Sequence, residues 1–571
     1  MNCLRKIQFL SLFFVLSFST LKAQVPYAQT NFGSPLGIPL VLAGTFGELR
    51  SNHFHAGIDI KTKGREGYPV LAIDSGYVSR VKTRPGGYGK ALYLTHYNGY
   101  VSVYAHLQKF ATDVASYVLD EQYGKQQYSV DLFPELALFK FYKGDTIAWS
   151  GNSGGSTAPH LHFEIRDVKT QETINPLLFG FKVKDTTPPT LRNLHVYPLK
   201  STSTINGSQD TLRIPVRRVS ARKYRIDSLD IAVNGAIGFG IDVFDRLDNA
   251  PNKNGIFSIE LFVDSSLVYK HKMERLSFLE TRYINSFMDY HAKKNYALRP
   301  QKSFKDPNNK LSVYEYLDNN GALNFSTNGM HNAYYLIKDT QGNTSTLSFE
   351  FSSDTTLTAI ASNKCQNNFK YQSDNVFEQN NLSLFIKQNS LYNDLDFRYK
   401  KLPSDPEFLS DIHCVHSIET PVHSAFSIGL KLPDFDTKYK DKTQLCKLDS
   451  KGNITCLSSN WQGDTLVARS RSFGDFSAII DTIAPKLKVK SFTYDLSLAT
   501  NMSFTVEDDL SGLSTYNAFV DGSWVLLEYD PKNNRLTHFF DGKIAPGTHL
   551  LEIIVADSVK NENRLILEFV R

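Results

Sequence analysis

The chain has 571 residues, of which 41% are hydrophobic and 21% charged, with a formal charge of +5. That length exceeds what one hydrophobic core serves, so three or four domains are expected. Arg5, Lys6 and Lys22 stand among the first 23 residues without any acid, which leaves +5 − 3 = +2 for the remainder. Such a balance excludes a strong electrostatic pull toward nucleic acid. With 29 Tyr and 39 Phe, the composition suits twisted β-sheets better than helical bundles.

Residues 1–23 read as a secretory signal peptide. Arg5 and Lys6 form a basic start, Ile7 to Phe18 an apolar run, and Ala23 a small residue before the cleavage point at Gln24. This predicts export, to the periplasm, the cell envelope or the surroundings of a bacterium. No later stretch approaches the roughly 20 apolar residues a membrane span needs, so no transmembrane segment is expected in the mature chain. Four cysteines follow: Cys365, Cys414, Cys446 and Cys456. The last two flank the turn signal Asp449-Ser450-Lys451-Gly452-Asn453. A cross-strand disulfide and a pair of buried thiols are both open readings there.

Three short stretches carry the chemistry. His55-Ala56-Gly57-Ile58-Asp59 comes first, Tyr104-Ala105-His106-Leu107 second, and Pro159-His160-Leu161-His162-Phe163-Glu164 third. Imidazole and carboxylate are common zinc ligands, and a catalytic zinc site has three protein ligands with a fourth position open. In a strand, residues two apart share a face at a separation of about 6.6 Å. One of His160 and His162 can therefore bind metal while the other stands beside the reacting water. His55 and Asp59 also share a face if extended, and Gly57 argues against a helix.

In this order the motifs H-x-G-x-D, Y-A-H-L and G-x-S-G-x-S-T-x-P-H-L-H-F-E resemble the lysostaphin/LytM-type zinc endopeptidases, which cleave peptidoglycan cross-link peptides. The resemblance spans residues 40 to 180, with Pro69-Val70-Leu71-Ala72, Asp74-Ser75-Gly76-Tyr77-Val78 and Gly86-Gly87-Tyr88-Gly89 between the motifs. It implies one zinc per chain held by His55, Asp59 and His162. It also implies catalytic roles for His160, as general base, and His106, as oxyanion donor or second proton carrier. His53 shares the parity of His55 and is a rival ligand, but the family pattern selects His55. His96 reads as a strand residue without catalytic work.

The fold class expected is mainly β: a small antiparallel catalytic domain followed by about three immunoglobulin-like β-sandwiches. The divisions are 24–184 for the peptidase, 185–356 for an expanded sandwich, 357–480 for a second and 481–571 for a third. Two departures from the family pattern occur within the first. Ala148 replaces a frequent glycine, and residues 110–142 form an insert that is either decoration or a wall of the substrate groove. After Phe181, the polar linker Lys182 to Pro189 opens an internal repeat. Asp185-Thr186-x-x-Pro189-x-Leu191 matches Asp481-Thr482-x-x-Pro485-x-Leu487, and His331, Asp339, Asn343 and Phe351 have the spacing of His549, Asp557, Asn561 and Phe569. The recurring histidines point to structure rather than to a second metal site. Calcium binding by loop acids such as Asp245, Asp248, Asp508 and Asp509 competes with turn capping, their commoner role.

The function expected is an exported zinc metallo-endopeptidase acting on the peptide stems of peptidoglycan, with the sandwiches open to an envelope partner. The alternative is a non-catalytic envelope-binding or hydrolase-activating protein, against which the complete ligand set counts. Because the sandwiches join the peptidase only after Phe181, removing residues 185–571 is expected to spare zinc binding and small-peptide hydrolysis.

Overall fold

The computed structural model describes residue 27 and residues 30–571, apart from 228–229, 359–366 and 434. The expected signal peptide and Cys365 lie outside the described residues. The described residues form mainly antiparallel sheets, with few and short helices.

The first unit is a large sheet packed on a small one. Its strands are β1 (Leu42–Gly44), β2 (Ile58–Lys61), β3 (Pro69–Leu71), β4 (Gly76–Thr83), β5 (Ala91–His96), β6 (Tyr100–Ala105), β7 (Leu107–Phe110), β8 (Val130–Leu132), β9 (Lys140–Phe141), β10 (Thr146–Ser150), β11 (His160–Asp167) and β12 (Thr173–Ile174), with α1 (Thr112–Lys125) after β7. The large sheet runs β1-β2-β11-β6-β5-β4-β8, and the small one β3-β10-β7. Alternation along β11 assigns the two faces. Leu161, Phe163 and Ile165 point into the core with Leu92, Leu94 and Tyr104. His160, His162, Glu164 and Arg166 therefore occupy the opposite face, beside the smaller cluster of Ala91, Tyr93, Val101, Val103 and Ala105. Both faces of β5 and β6 are thus covered, which explains their nearly continuous burial.

The insert does not fold over the histidines. Its strands β8 and β9 pair with β4 and extend the sheet at the edge remote from β2. Val114 and Val118 of α1 enter the main core. Leu132 is buried and Phe139 packs against that core, whereas Phe133, Leu136, Leu138 and Tyr142 are exposed. Phe133 lies under the Arg80 guanidinium.

Three further units of packed sheets follow, each with its own core. The first spans Leu191 to Phe351, the second Phe369 to Ala478, and the third Leu496 to Phe569. In the middle unit Cys446 and Cys456 stand directly opposite across an antiparallel ladder, as free thiols. His331 and His549 do the same work in the two repeat copies: each ring bonds the carboxylate of a turn aspartate, Asp264 at 2.7 Å and Asp521 at 2.6 Å.

The later units do not hang from the end of the first. Phe46, Leu49 and Phe54, in the loop between β1 and β2, share a core with Met273, Leu276, Tyr283, Ile284, Phe287 and Met288. Gly47, at φ 74, lets Met273 lie against the backbone where a Cβ would meet it at 2.9 Å. Phe54 N–H donates to Thr281 Oγ1 at 3.0 Å, and the Arg299 guanidinium caps Leu49 O. Strand Arg275–Leu276 pairs with β12 and continues the large sheet. The C-terminal unit reaches back as well. Glu528 pairs with Lys90 at 2.9 Å, Asp541 accepts from the Tyr123 hydroxyl of α1 at 2.5 Å, and the Lys532 ammonium reaches Asn152 O.

Candidate metal centre

Strand pairing brings the three motifs together. β11 lies between β2 and β6, with His162 opposite both Asp59 and Ala105. His106 follows Ala105 at the strand end with φ 57, a left-handed turn uncommon for a residue with a Cβ. That turn is held by His106 N–H donating to Tyr88 O at 2.9 Å and by the ring Nδ1–H donating to Ser153 O at 2.8 Å. Gly57 is required because a Cβ there would collide with the carbonyl of Phe163 in the neighbouring strand.

His55, Asp59 and His162 are all buried. His55 Nε2 lies 3.0 Å from Asp59 Oδ1 and 3.1 Å from His162 Nδ1, and His162 Nδ1 lies 3.0 Å from Asp59 Oδ1. The outer hydrogen bonds decide what faces that point. His55 Nδ1–H donates to Thr45 O at 2.8 Å, which leaves a lone pair on Nε2. His162 Nε2–H donates to Glu164 Oε1 at 2.9 Å, which leaves a lone pair on Nδ1. Two lone pairs and a carboxylate oxygen converge with no donor among them. Only a cation or a proton relieves that arrangement, and the donor set of two imidazoles and one carboxylate fits a first-row metal ion. The three were also the only His-containing group among the described residues whose ligand atoms gather closely enough to share one ion.

Electrostatics favour a cation at this point. Burial alone would lower His162, but Asp59 and Glu164 push it up to about 9. Burial alone would raise Asp59, but His55, His160 and His162 hold its carboxyl well below the ordinary range. Glu164 is fully buried, yet Arg166, His162 and Tyr88 hold it at about 2. Its second oxygen takes the Arg166 guanidinium at 2.6 Å, and Tyr88 OH donates to the first. Arg50 binds the other oxygen of Asp59 at 2.9 Å and Glu48 at 3.3 Å.

His106 and His160 flank the cluster, with ring centroids 4.8 Å apart. His160 Nδ1–H donates to Ala158 O at 2.8 Å, and its Nε2 lies 3.4 Å from Asp59 Oδ1. Burial, with His162 and His160 nearby, pushes His106 down to about 3. His53 lies outside the cluster, its Nδ1 beside Asn52 Oδ1 at 3.2 Å. His96 is tied to Ser102 and to Ser75 O, within the strand. Sequence reasoning missed Glu164, Arg50, Tyr88 and the carbonyls of Thr45 and Ser153. Glu164 and Arg166 were within reach of parity, standing two and four residues after His162 on the same face. The carbonyls had no signal, since any residue supplies one.

Comparison with known proteins finds similarity over part of the chain. The family model for Peptidase family M23 matches residues 53–123, and that for the Zu5-like domain matches residues 366–481. DD-carboxypeptidase/endopeptidase Mpg of Neisseria meningitidis serogroup B is 30% identical over 141 residues, covering 25% of this chain and 25% of that protein. An uncharacterized metalloprotease of Haemophilus influenzae is 32% identical over 123 residues, 22% of this chain and 20% of that protein. The chain thus spans about a quarter or less of the length of these curated relatives. Among solved structures, the catalytic domain of the prophage-encoded M23 protein EnpA from Enterococcus faecalis is 23% identical, covers 26% of this chain and 98% of that one, and has a TM-score of 0.19. The catalytic domain of lysostaphin from Staphylococcus simulans is 24% identical, covers 24% and 90%, and has a TM-score of 0.18.

Proposed function

We propose, from the Peptidase family M23 domain that the chain carries over residues 53–123, that the protein is an exported zinc metallo-endopeptidase hydrolysing the peptide portion of peptidoglycan. The observation that carries this reading is the convergence of His55 Nε2, Asp59 Oδ1 and His162 Nδ1 on one point, with two further imidazoles beside it. Bound there, zinc supplies Lewis acidity, which acidifies water and polarises a carbonyl. The relatives named as carboxypeptidase/endopeptidase and metalloprotease support the reaction type, and the basic and apolar start of the sequence supports export.

The chain's own residues divide the remaining work. Thr45 O and Glu164 fix the tautomers of His55 and His162, so that lone pairs rather than N–H groups face the ion. Arg50 holds the second oxygen of Asp59 and keeps that carboxylate in one orientation. Ser153 O and Ala158 O take the Nδ1–H of His106 and His160, leaving an unprotonated Nε2 on each ring. Each Nε2 is thereby prepared to accept a proton from the attacking water and to return it to the departing amine. Burial keeps His106 neutral at ordinary pH.

Two substitutions separate these roles. His106→Ala and His160→Ala are each expected to retain zinc while turnover falls about 10²–10⁴-fold. Elemental analysis beside a rate assay checks this, and unchanged rates in both would remove the histidines from the chemistry. Glu164→Gln lets an amide N–H₂ turn toward His162 Nε2, which reverses the tautomer and aims Nδ1–H at the metal. Zinc affinity is expected to drop about 10–100-fold, read by competition with a chromophoric chelator. The function itself is tested by incubating the zinc-loaded mature chain with purified sacculi and identifying new peptide ends by mass spectrometry. Release of cross-link fragments is expected. A chain fully loaded with zinc that cuts neither sacculi nor soluble stem peptides would refute the proposal.

A further inference from the structure

We propose that Asp185, Asp245 and Asp339 form a binding site for a calcium-type divalent cation, where the linker from the peptidase enters the first sandwich. One carboxylate oxygen of each lies within 4.8 Å of the others. Asp245 supplies the decisive observation: it is 3% exposed, faces the other two, and its Oδ1 has no hydrogen-bond partner. A buried oxygen left unpaired costs free energy, so such an atom calls for a ligand. Asn254 pairs with Asp245 across an antiparallel bridge, which puts both side chains on one face, and neither atom of its carboxamide is bonded.

The groups around the cluster do not neutralise it. Asp339 accepts from Asn343 N–H and Nδ2–H, both at 2.8 Å, and Asp185 accepts from Thr187 N–H at 3.0 Å. These are neutral donors. Burial and the charges of Asp185 and Asp339 push the Asp245 carboxyl up to about 8, and burial first of all pushes Asp185 up to about 6. Three hard oxygen donors without nitrogen or sulfur suit calcium rather than zinc, with carbonyls and water completing a flexible shell.

The second repeat copy is an internal control. Asp481, Asp508 and Asp557 gather in the same way. There, however, backbone N–H groups occupy the oxygens. Leu510 and Gly512 donate to Asp508 Oδ2, Ser511 to Asp481 Oδ2, and Val559 and Asn561 to Asp557 Oδ1. Asp339 and Asp557 are bonded alike by Asn343 and Asn561, so the copies differ at one position: backbone N–H groups satisfy Asp508 Oδ2, whereas Asp245 Oδ1 is left open. The open copy also lies next to the zinc loop. Asn254 exchanges backbone bonds with Asp245, Gly255 N–H donates to Thr45 Oγ1 at 3.0 Å, and Thr45 O orients His55. A cation at Asp245 would brace that route.

The test uses the full mature chain, loaded with zinc, and Ca²⁺ as the probe. Calorimetry is expected to show saturable Ca²⁺ binding, and the unfolding midpoint to rise by roughly 3–6 °C at saturation. Asp245→Asn should abolish binding and the rise at unchanged zinc content, and without Ca²⁺ it should be about as stable as wild type, because a carboxyl pushed up to about 8 is already mostly neutral there. Asp508→Asn should retain the response. If Asp245→Asn does not fold, Asp339→Asn carries the same expectation. Absence of binding at millimolar Ca²⁺, or an equal response in wild type and Asp245→Asn, would overturn the proposal.

Discussion

Asp59→Ala is expected to lower bound zinc from about one per chain to below about a tenth, and peptide hydrolysis with it, since a three-ligand catalytic site has no spare member. The loss is larger than ligand count alone implies. Asp59 Oδ1 is the common neighbour of His55, His160 and His162, and its Oδ2 holds Arg50. Removing the carboxylate takes away the negative charge that faces the three imidazoles and leaves Arg50 paired with Glu48 alone, which weakens the attraction for a metal ion. Asp59→Asn is a sharper variant, because it keeps shape and loses only charge. Elemental analysis with a rate assay checks both, and full zinc in either variant would contradict the ligand assignment.

The second large effect concerns the sandwiches. A chain ending at residue 184 is expected to lose most of its zinc affinity and hydrolysis even of a small soluble peptide. This reverses what linker position alone implied. The loop between β1 and β2, which carries His55, buries Phe46, Leu49 and Phe54 against residues 273–288. Burial contributes about 1.5–3 kcal/mol for each such side chain, so the truncated loop forfeits roughly 5–9 kcal/mol of anchoring as an upper bound. It also exposes a contiguous apolar patch. Chelator competition and a peptide assay on the truncated chain check this. Undiminished zinc affinity and rate would show that the loop holds itself.

These two expectations mark where sequence reading was strong and where it ended. The ligand-bearing face was legible because a strand alternates. His160, His162, Glu164 and Arg166 have one parity, and Leu161, Phe163 and Ile165 have the other. Gly57 and the strand end at His106 were legible as punctuation. The repeat landmarks were legible as spacing, and their carboxylates prove to gather in space. What escaped was contact between distant segments. Nothing in Phe46, Leu49 or Phe54 names Met273 or Phe287 as partners more than 200 residues away, because hydrophobic packing is non-directional. The insert was legible only in part: Val114, Val118 and Leu132 enter the core, whereas Phe133, Leu136 and Leu138 have core-like character and yet face solvent.

The central claim is that His55, Asp59 and His162 hold one zinc while His106 and His160 stay outside its ligand set. X-ray absorption at the zinc edge of the loaded mature chain tests this most directly. The account predicts one zinc per chain with two imidazole nitrogens at about 2.0–2.1 Å and oxygen ligands at about 2.0–2.2 Å. Three or more imidazoles in the first coordination sphere, or no stoichiometric zinc at all, would contradict it.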